Sequence, residues 1–273
     1  MDIPRISALF RVVGSPTFTL RLRNESIQTT KTMKLYQHAA VGLFGLILSQ
    51  SNVGAAVSLG SASSYAVLGA STVTNTGSSV ITGDLGLSPG TSITGFPPGV
   101  VNGSIHTNDA SASSAQTDAL QAYNDLGLLV VTSDLTGQDL AQTLNPGIYN
   151  FDTSAALSGT LVLDGTGDYV FLIGSTLTTS SASDVSLING ASVANVFFRV
   201  GSSATLGTSS MFSGTIIANT SVTATTGADV EGRLIALNGA VTLDSNNVMV
   251  VPEPSSALSL LIGMGLLLKR RRA

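Results

Sequence analysis

The sequence predicts a mainly β protein that winds short strands into a solenoid and packs one long helix alongside it. Three observations predict this. Ser and Thr make up roughly a quarter of the 273 residues and Gly adds 29, a strand- and turn-rich composition. Short apolar segments recur through the downstream half at roughly twenty residues per pair, a solenoid period. One run alone, 109–126, carries its apolar residues at helical spacing.

The helix candidate is the run 109–126. Thr107, Asn108 and Asp109 offer N-caps. Ala112, Ala115, Ala119, Ala122, Tyr123 and Leu126 recur three and four apart, and Gly127 suits a C-cap. The strands follow at 160–164, 169–173, 184–188, 195–200, 203–206, 215–218, 221–225, 233–237 and 240–244, broken by Gly, Asn, Asp and Ser. They are of two kinds. Segments such as Val196-Phe197-Phe198, Thr215-Ile216-Ile217 and Leu234-Ile235-Ala236 are apolar on both faces, so both faces must be covered. The solenoid core covers one, and the helix is the available cover for the other. Segments such as Ser221-Val222-Thr223-Ala224-Thr225 are apolar inward and hydroxylated outward, and can face water.

Composition excludes whole classes of chemistry. With no Cys, neither a disulfide framework, a thiolate metal site nor a Cys nucleophile is possible. Two His, His38 and His106, leave almost nothing from which to build a His metal site or a Ser-His-Asp triad. Between residues 57 and 250 only Arg199 and Arg233 are basic, against thirteen acidic residues. A nucleic-acid partner needs Lys and Arg against phosphate, so that class is set aside. The turn Asp164-Gly165-Thr166-Gly167-Asp168 outlines a Ca²⁺ loop or a pair of hydrolase carboxylates, but a single Asp/Gly run of this kind reads as a turn. Asp84 reads as a turn residue and His106 as structural, Arg199 and Arg233 read as caps of coil edges, and no cofactor is implied.

The two ends read as addresses. Met33-Lys34, the apolar run 39–48 and the small residues Gly54, Ala55 and Ala56 form a secretory signal over 33–56, with 1–32 an upstream extension or a miscalled start. Pro252-Glu253-Pro254, the apolar run 255–268 and Lys269-Arg270-Arg271-Arg272 follow the body. That order resembles the bacterial PEP-CTERM sorting signal, over 251–273. The resemblance implies export from a Gram-negative cell, transient membrane retention through a short apolar helix with a basic end, and cleavage by an exosortase-type protease.

The outward positions of the second kind of strand are Thr72, Thr74 and Thr76; Thr176 and Thr178; Ser186; Thr205; Thr223 and Thr225; and Thr242. Stacked coils would set them about 4.7 Å apart across strands and about 6.7 Å apart along them. Thr is stiff at χ1, so such an array is regular and little entropy remains to be lost. Thr is also an ordinary solvent-side strand residue, and the array alone does not name a ligand.

Several stretches are similar to the microbial ice-binding (antifreeze) proteins: LGSASSYAVLGA at 59–70, SVITGDLGLSP at 79–89, ITGF at 93–96, LNPGIY at 144–149, NVFFRV at 195–200, ATLGT at 204–208 and EGRLIA at 231–236. The likeness runs over nearly all of 57–250, in the family's order. It implies a right-handed, discontinuous β-solenoid of triangular cross-section, in which N-terminal strands pair with C-terminal coils. It implies a flat ice-binding face, often carrying Thr-Ala/Gly-X-Thr/Asn, which Thr223-Ala224-Thr225-Thr226 fits. The other outward positions do not repeat that pattern, and Asp184, Ile188 and Asp244 are expected near the same face. The function implied is a secreted, monomeric, non-enzymatic protein whose partner is the ice crystal surface. Two other uses of the scaffold stay open: a matrix or adhesion module binding polysaccharide or cells, and a polysaccharide-degrading enzyme, which would need paired carboxylates in a cleft.

Overall fold

The computed structural model describes residues 57–251. The extension, the signal segment and the sorting segment expected from sequence lie outside the described residues. Among the described residues no helix is long and apolar enough to cross a membrane.

A short 3-10 turn, Gly60–Ser64, leads into β1 (Tyr65–Gly69), β2 (Thr72–Thr76) and β3 (Val80–Thr82), which make one coil. β4 (Asp84–Leu87), β5 (Ser92–Thr94) and β6 (Val100–Asn102) make the next, and β7 (Ile105–Thr107) leads into α1 (Ala110–Leu126). A partial coil of β8 (Ser133–Asp134) and β9 (Thr143–Leu144) follows. β10 (Gly147–Phe151), β11 (Ala155–Leu157) and β12 (Thr160–Asp164) form a full coil, as do β13 (Tyr169–Ile173), β14 (Leu177–Thr179) and β15 (Asp184–Ile188). The last coils run through β16 (Val196–Val200), β17 (Ala204–Leu206), β18 (Met211–Ala218), β19 (Val222–Ala224), β20 (Asp229–Ala236), β21 (Val241–Asp244) and β22 (Asn247–Met249).

All pairings are parallel and sort the strands into three rows, the sides of a triangle. The helix face runs β8-β10-β13-β16-β18-β20-β1-β4-β7. The threonine face runs β11-β14-β17-β19-β21-β2-β5. A third, mixed face runs β9-β12-β15-β18-β20-β22-β3-β6. β18 and β20 serve two rows because each bends where the mixed and helix faces meet. Gly214 (φ 135°) and Gly232 (φ 142°) make those bends. A Cβ on Gly232 would lie 2.0 Å from the Gly214 carbonyl oxygen, so only glycine fits the corner. The repeat is not constant: register partners lie 22 residues apart at Ile148 and Val170, 27 at Val170 and Phe197, and 18 at Phe197 and Thr215.

Rung order departs from chain order. β1, β2 and β3 stack on β20, β21 and β22, so the first coil in sequence follows the last in space.

Two cores hold the fold. Inside the triangle an aromatic file runs Tyr149, Phe171, Phe198 and Phe212, with successive centroids 5.5, 4.5 and 4.8 Å apart. Outside the helix face, Leu68, Val170, Leu172, Phe197, Ile217 and Ile235 pack against Ala115, Ala119, Ala122, Tyr123 and Leu126 of α1. The doubly apolar strands are therefore covered on both sides. The six apolar helix positions read from sequence are the six that α1 buries. Asp109 caps the helix, its Oδ1 accepting the Ala112 N–H at 2.8 Å.

The arginines sit differently from the expectation that they cap coil edges. Arg199 lies under the end of α1, its guanidinium 4.0 Å from the Tyr123 ring centroid and donating to the Tyr123 carbonyl, where the helix dipole favours a cation. Arg233 is 1 % exposed at the glycine corner. It donates to the Ser63 carbonyl from Nε and Nη2 (3.0 and 2.7 Å) and to the Val251 carbonyl from Nη2 (3.1 Å).

Candidate functional site

Each strand of the threonine face buries alternate residues and turns the others outward. The inward row includes Leu177, Ala204, Val222, Val241 and Val73, all buried. Between them stands an outward file in which Ala156, Thr178, Thr205, Thr223, Thr242, Thr74 and Thr94 are successive register partners. Six threonines thus stand in line over about 24 Å at the usual strand spacing. None of the six hydroxyls hydrogen-bonds another group among the described residues, so all are open to solvent.

Flanking positions are also hydroxylated. On one side Thr72 pairs with Ser92, and Thr176 Oγ1 donates to Ser154 Oγ at 2.8 Å. On the other, Thr76 is registered with Asp244, and Thr225 Oγ1 donates to the Leu206 carbonyl at 2.7 Å. Asp244 is the one carboxylate within the strands of this face, and the hydroxyls of Thr226 and Ser245 donate to it.

Of the residues expected outward on one face, the structure brings Thr72, Thr74, Thr76, Thr176, Thr178, Thr205, Thr223, Thr225 and Thr242 together. Ser186 is not among them. It lies on β15 of the mixed face, register partner of Val162. Asp184 and Ile188, expected near the threonines, lie on the same mixed strand, because the chain turns a corner between β14 and β15. Thr94 and Ser92 were missed. Their strand is three residues long, and the only signal was the alternation Ser92-Ile93-Thr94 between turn residues.

The mixed face differs in kind. Its outward positions carry Asp184, Asp229 and Glu231 with Met211, Met249 and Asn247, around a shallow depression. Met211 is 61 % exposed. Among the described residues no group of three or more His, Cys, Asp or Glu is placed to hold a metal ion. His106 Nδ1 lies 2.8 Å from Asp109 Oδ2 and serves the helix cap. The Ala112 backbone N–H, together with His106, holds the Asp109 carboxyl below the usual carboxylate range.

The Ice-binding-like family model matches residues 67–249. An ice-binding protein of Nostoc sp. (strain HG1) is 50 % identical over 244 residues, covering 83 % of this chain and 90 % of its own length. Among solved structures, an ice-binding protein from the Antarctic ascomycete Antarctomyces psychrotrophicus superposes with a TM-score of 0.70 at 43 % identity, over 72 % of this chain and 98 % of that one. An ice binding protein from an Antarctic Biological Consortium gives 0.69 at 47 % identity, over 73 % and 93 %.

Proposed function

The chain belongs to the Ice-binding-like family, and from that premise we propose that it adsorbs to ice through the threonine face, with Thr178, Thr205, Thr223, Thr242, Thr74 and Thr94 as the central contact file. The observation that carries this reading is the file itself: six β-branched residues in register, their hydroxyls unspent, on a surface with a single strand carboxylate. Stiff side chains and flat parallel strands hold methyls and hydroxyls at fixed spacing, so water over the face is ordered before ice arrives and little entropy is lost on contact. A mobile, charged face holds hydration in place and does neither. The role is adsorption, not catalysis, and the relatives' names support it. Export through residues 33–56 and retention through 251–273 would put the face outside the cell.

The test is ice recrystallisation inhibition with crystal shaping. Thr223→Tyr places a ring at the middle of the file and should cost most of the activity while circular dichroism stays unchanged. Full activity in that variant would overturn the assignment.

A further inference from the structure

One groove lies outside the threonine face, between α1 and the corner where the helix face turns into that face. Gln116 and Leu120 line it from α1, four residues apart on one side of the helix. Ser88 and Pro89, just after β4, and Leu237 and Asn238, just after β20, line it from the solenoid. β4 and β20 flank β1 in the helix row. The groove therefore exists only because the first coil in sequence stacks on the last.

Three polar side chains of this groove have hydrogen-bonding capacity left over. Ser88 is 6 % exposed, yet its hydroxyl bonds to no group among the described residues. A hydroxyl buried without a partner is costly, and the groove gives this one access to a ligand. Gln116 Nε2 donates to the Gly69 carbonyl at 2.8 Å and to the Ala236 carbonyl at 3.2 Å. Two carbonyls accept only from N–H, so the carboxamide is fixed and its oxygen is left without a donor. Asn238 Nδ2 is likewise spent on the Asn219 carbonyl and Oδ1 (2.8 and 3.1 Å), and its own oxygen takes no hydrogen bond. Two open acceptors and a hydroxyl suit a ligand rich in O–H donors. Beside them, Leu120 at 49 % exposure, Pro89 and Leu237 offer apolar surface. No residue lining the groove is charged, although the sequence between 57 and 250 carries thirteen carboxylates. An anion finds no Lys or Arg here, and a cation finds no carboxylate.

We propose that this groove binds an uncharged pyranose ring of a glycan, one whose hydroxyls are equatorial. Such a ring combines an apolar C–H face, several O–H donors and no charge. The C–H face packs on Leu120, Pro89 and Leu237. The hydroxyls donate to Gln116 Oε1 and Asn238 Oδ1, and one exchanges a hydrogen bond with Ser88 Oγ. The site does not rest on the ice-binding reading. Ser88 and Asn238 precede β5 and β21 of the threonine face by a few residues, so glycan and ice are held on neighbouring sides of one molecule.

The test is titration of the isotope-labelled full chain with cellotriose, whose equatorial hydroxyls leave both ring faces apolar, followed through the amide chemical shifts. Cellotriose should shift the amides around Ser88, Gln116 and Asn238 saturably, with a dissociation constant on the order of 1 mM. Trigalacturonate, of equal length but anionic, and glycerol, which has hydroxyls but no ring, should not. Ser88→Ala removes the buried hydroxyl and should weaken binding about threefold to tenfold. Leu120→Glu, at a half-exposed helix position, should abolish it. The remaining amide shifts of each variant report that the fold is kept. No saturable shift, an equal response to trigalacturonate or glycerol, or unchanged affinity in either variant would overturn the proposal. Ice recrystallisation inhibition should be unchanged in both variants, and Thr223→Tyr should bind cellotriose as the parent does, so the two sites fail or succeed separately.

Discussion

The threonine and mixed faces are built on the same rungs and bury comparable inward rows, yet their outward rows differ. Inward, Val185, Phe212, Val230 and Val248 of the mixed face are as buried as Leu177, Ala204, Val222 and Val241 of the threonine face. Outward, one face repeats threonine six times in register. The other runs Asp184, Met211 and Asp229 across three neighbouring strands. The fold thus demands only the inward row and tolerates carboxylates, methionines and asparagine outside. If strand propensity alone explained the file, the mixed face should also repeat threonine in register, yet its outward Thr82, Thr143 and Thr160 are partnered by Met249 and Asn102, Val162 and Asp184. The mixed face is an internal control, and it argues that the threonine file serves something other than folding.

That contrast can be broken or sharpened by substitution. The largest effect is expected from Thr205→Tyr with Thr223→Tyr, which interrupts the file at its centre. Recrystallisation inhibition should fall by at least about tenfold, roughly 1.4 kcal/mol of adsorption free energy, with an unchanged melting transition. Thr94→Tyr, at the tip of the file, should leave a shorter intact file and cost clearly less than the central pair in the same assay. An equal cost would mean that the whole length is read at once. Asp244→Thr removes the one strand carboxylate from the face and should raise thermal hysteresis modestly. A fall would show that the hydroxyls of Thr226 and Ser245 depend on it for their placement. Glu231→Tyr on the mixed face should leave ice activity unchanged, and a loss there would move the site.

The smallest effect concerns acid. The carboxyl of Asp109 is lowered in the folded state, first by the Ala112 N–H and then by His106. The sign follows from linkage: the stabilisation is present above the ordinary carboxylate pKa of about 3.9 and is lost as pH falls through the lowered folded value. Asp109→Asn keeps a capping oxygen but cannot titrate. Its unfolding midpoint should therefore lie slightly below the parent's near neutrality and converge with it below about pH 4, the variant showing the shallower acid decline.

Much of this molecule was legible before folding. The residues that α1 buries were read one by one, because helical spacing, an N-cap and a C-cap coincide within one uninterrupted run. The strand segments 160–164, 169–173 and 184–188 matched to the residue, since each is an apolar or alternating run bounded by Gly, Ser, Asp or Asn turn signals. Reading failed where strands are short or shared. β18 and β20 each cross a corner at a glycine, and only their helix-face halves carried a strand signal. Ser186 has an outward, hydroxylated side chain on an alternating strand, just as Thr178 does, and nothing local says that they face different sides.

The sequence by itself determined the elements, the two kinds of strand and the supply of outward threonines, because periodicity and turn chemistry act within a few residues. Only the tertiary structure decided which threonines share a file. Register between rungs is set by packing of the inward rows across separations of 18 to 27 residues, and across the seam by β2 pairing with β21. Thr74 and Thr242 are neighbours on the face and far apart in the chain, and no local pattern encodes that contact.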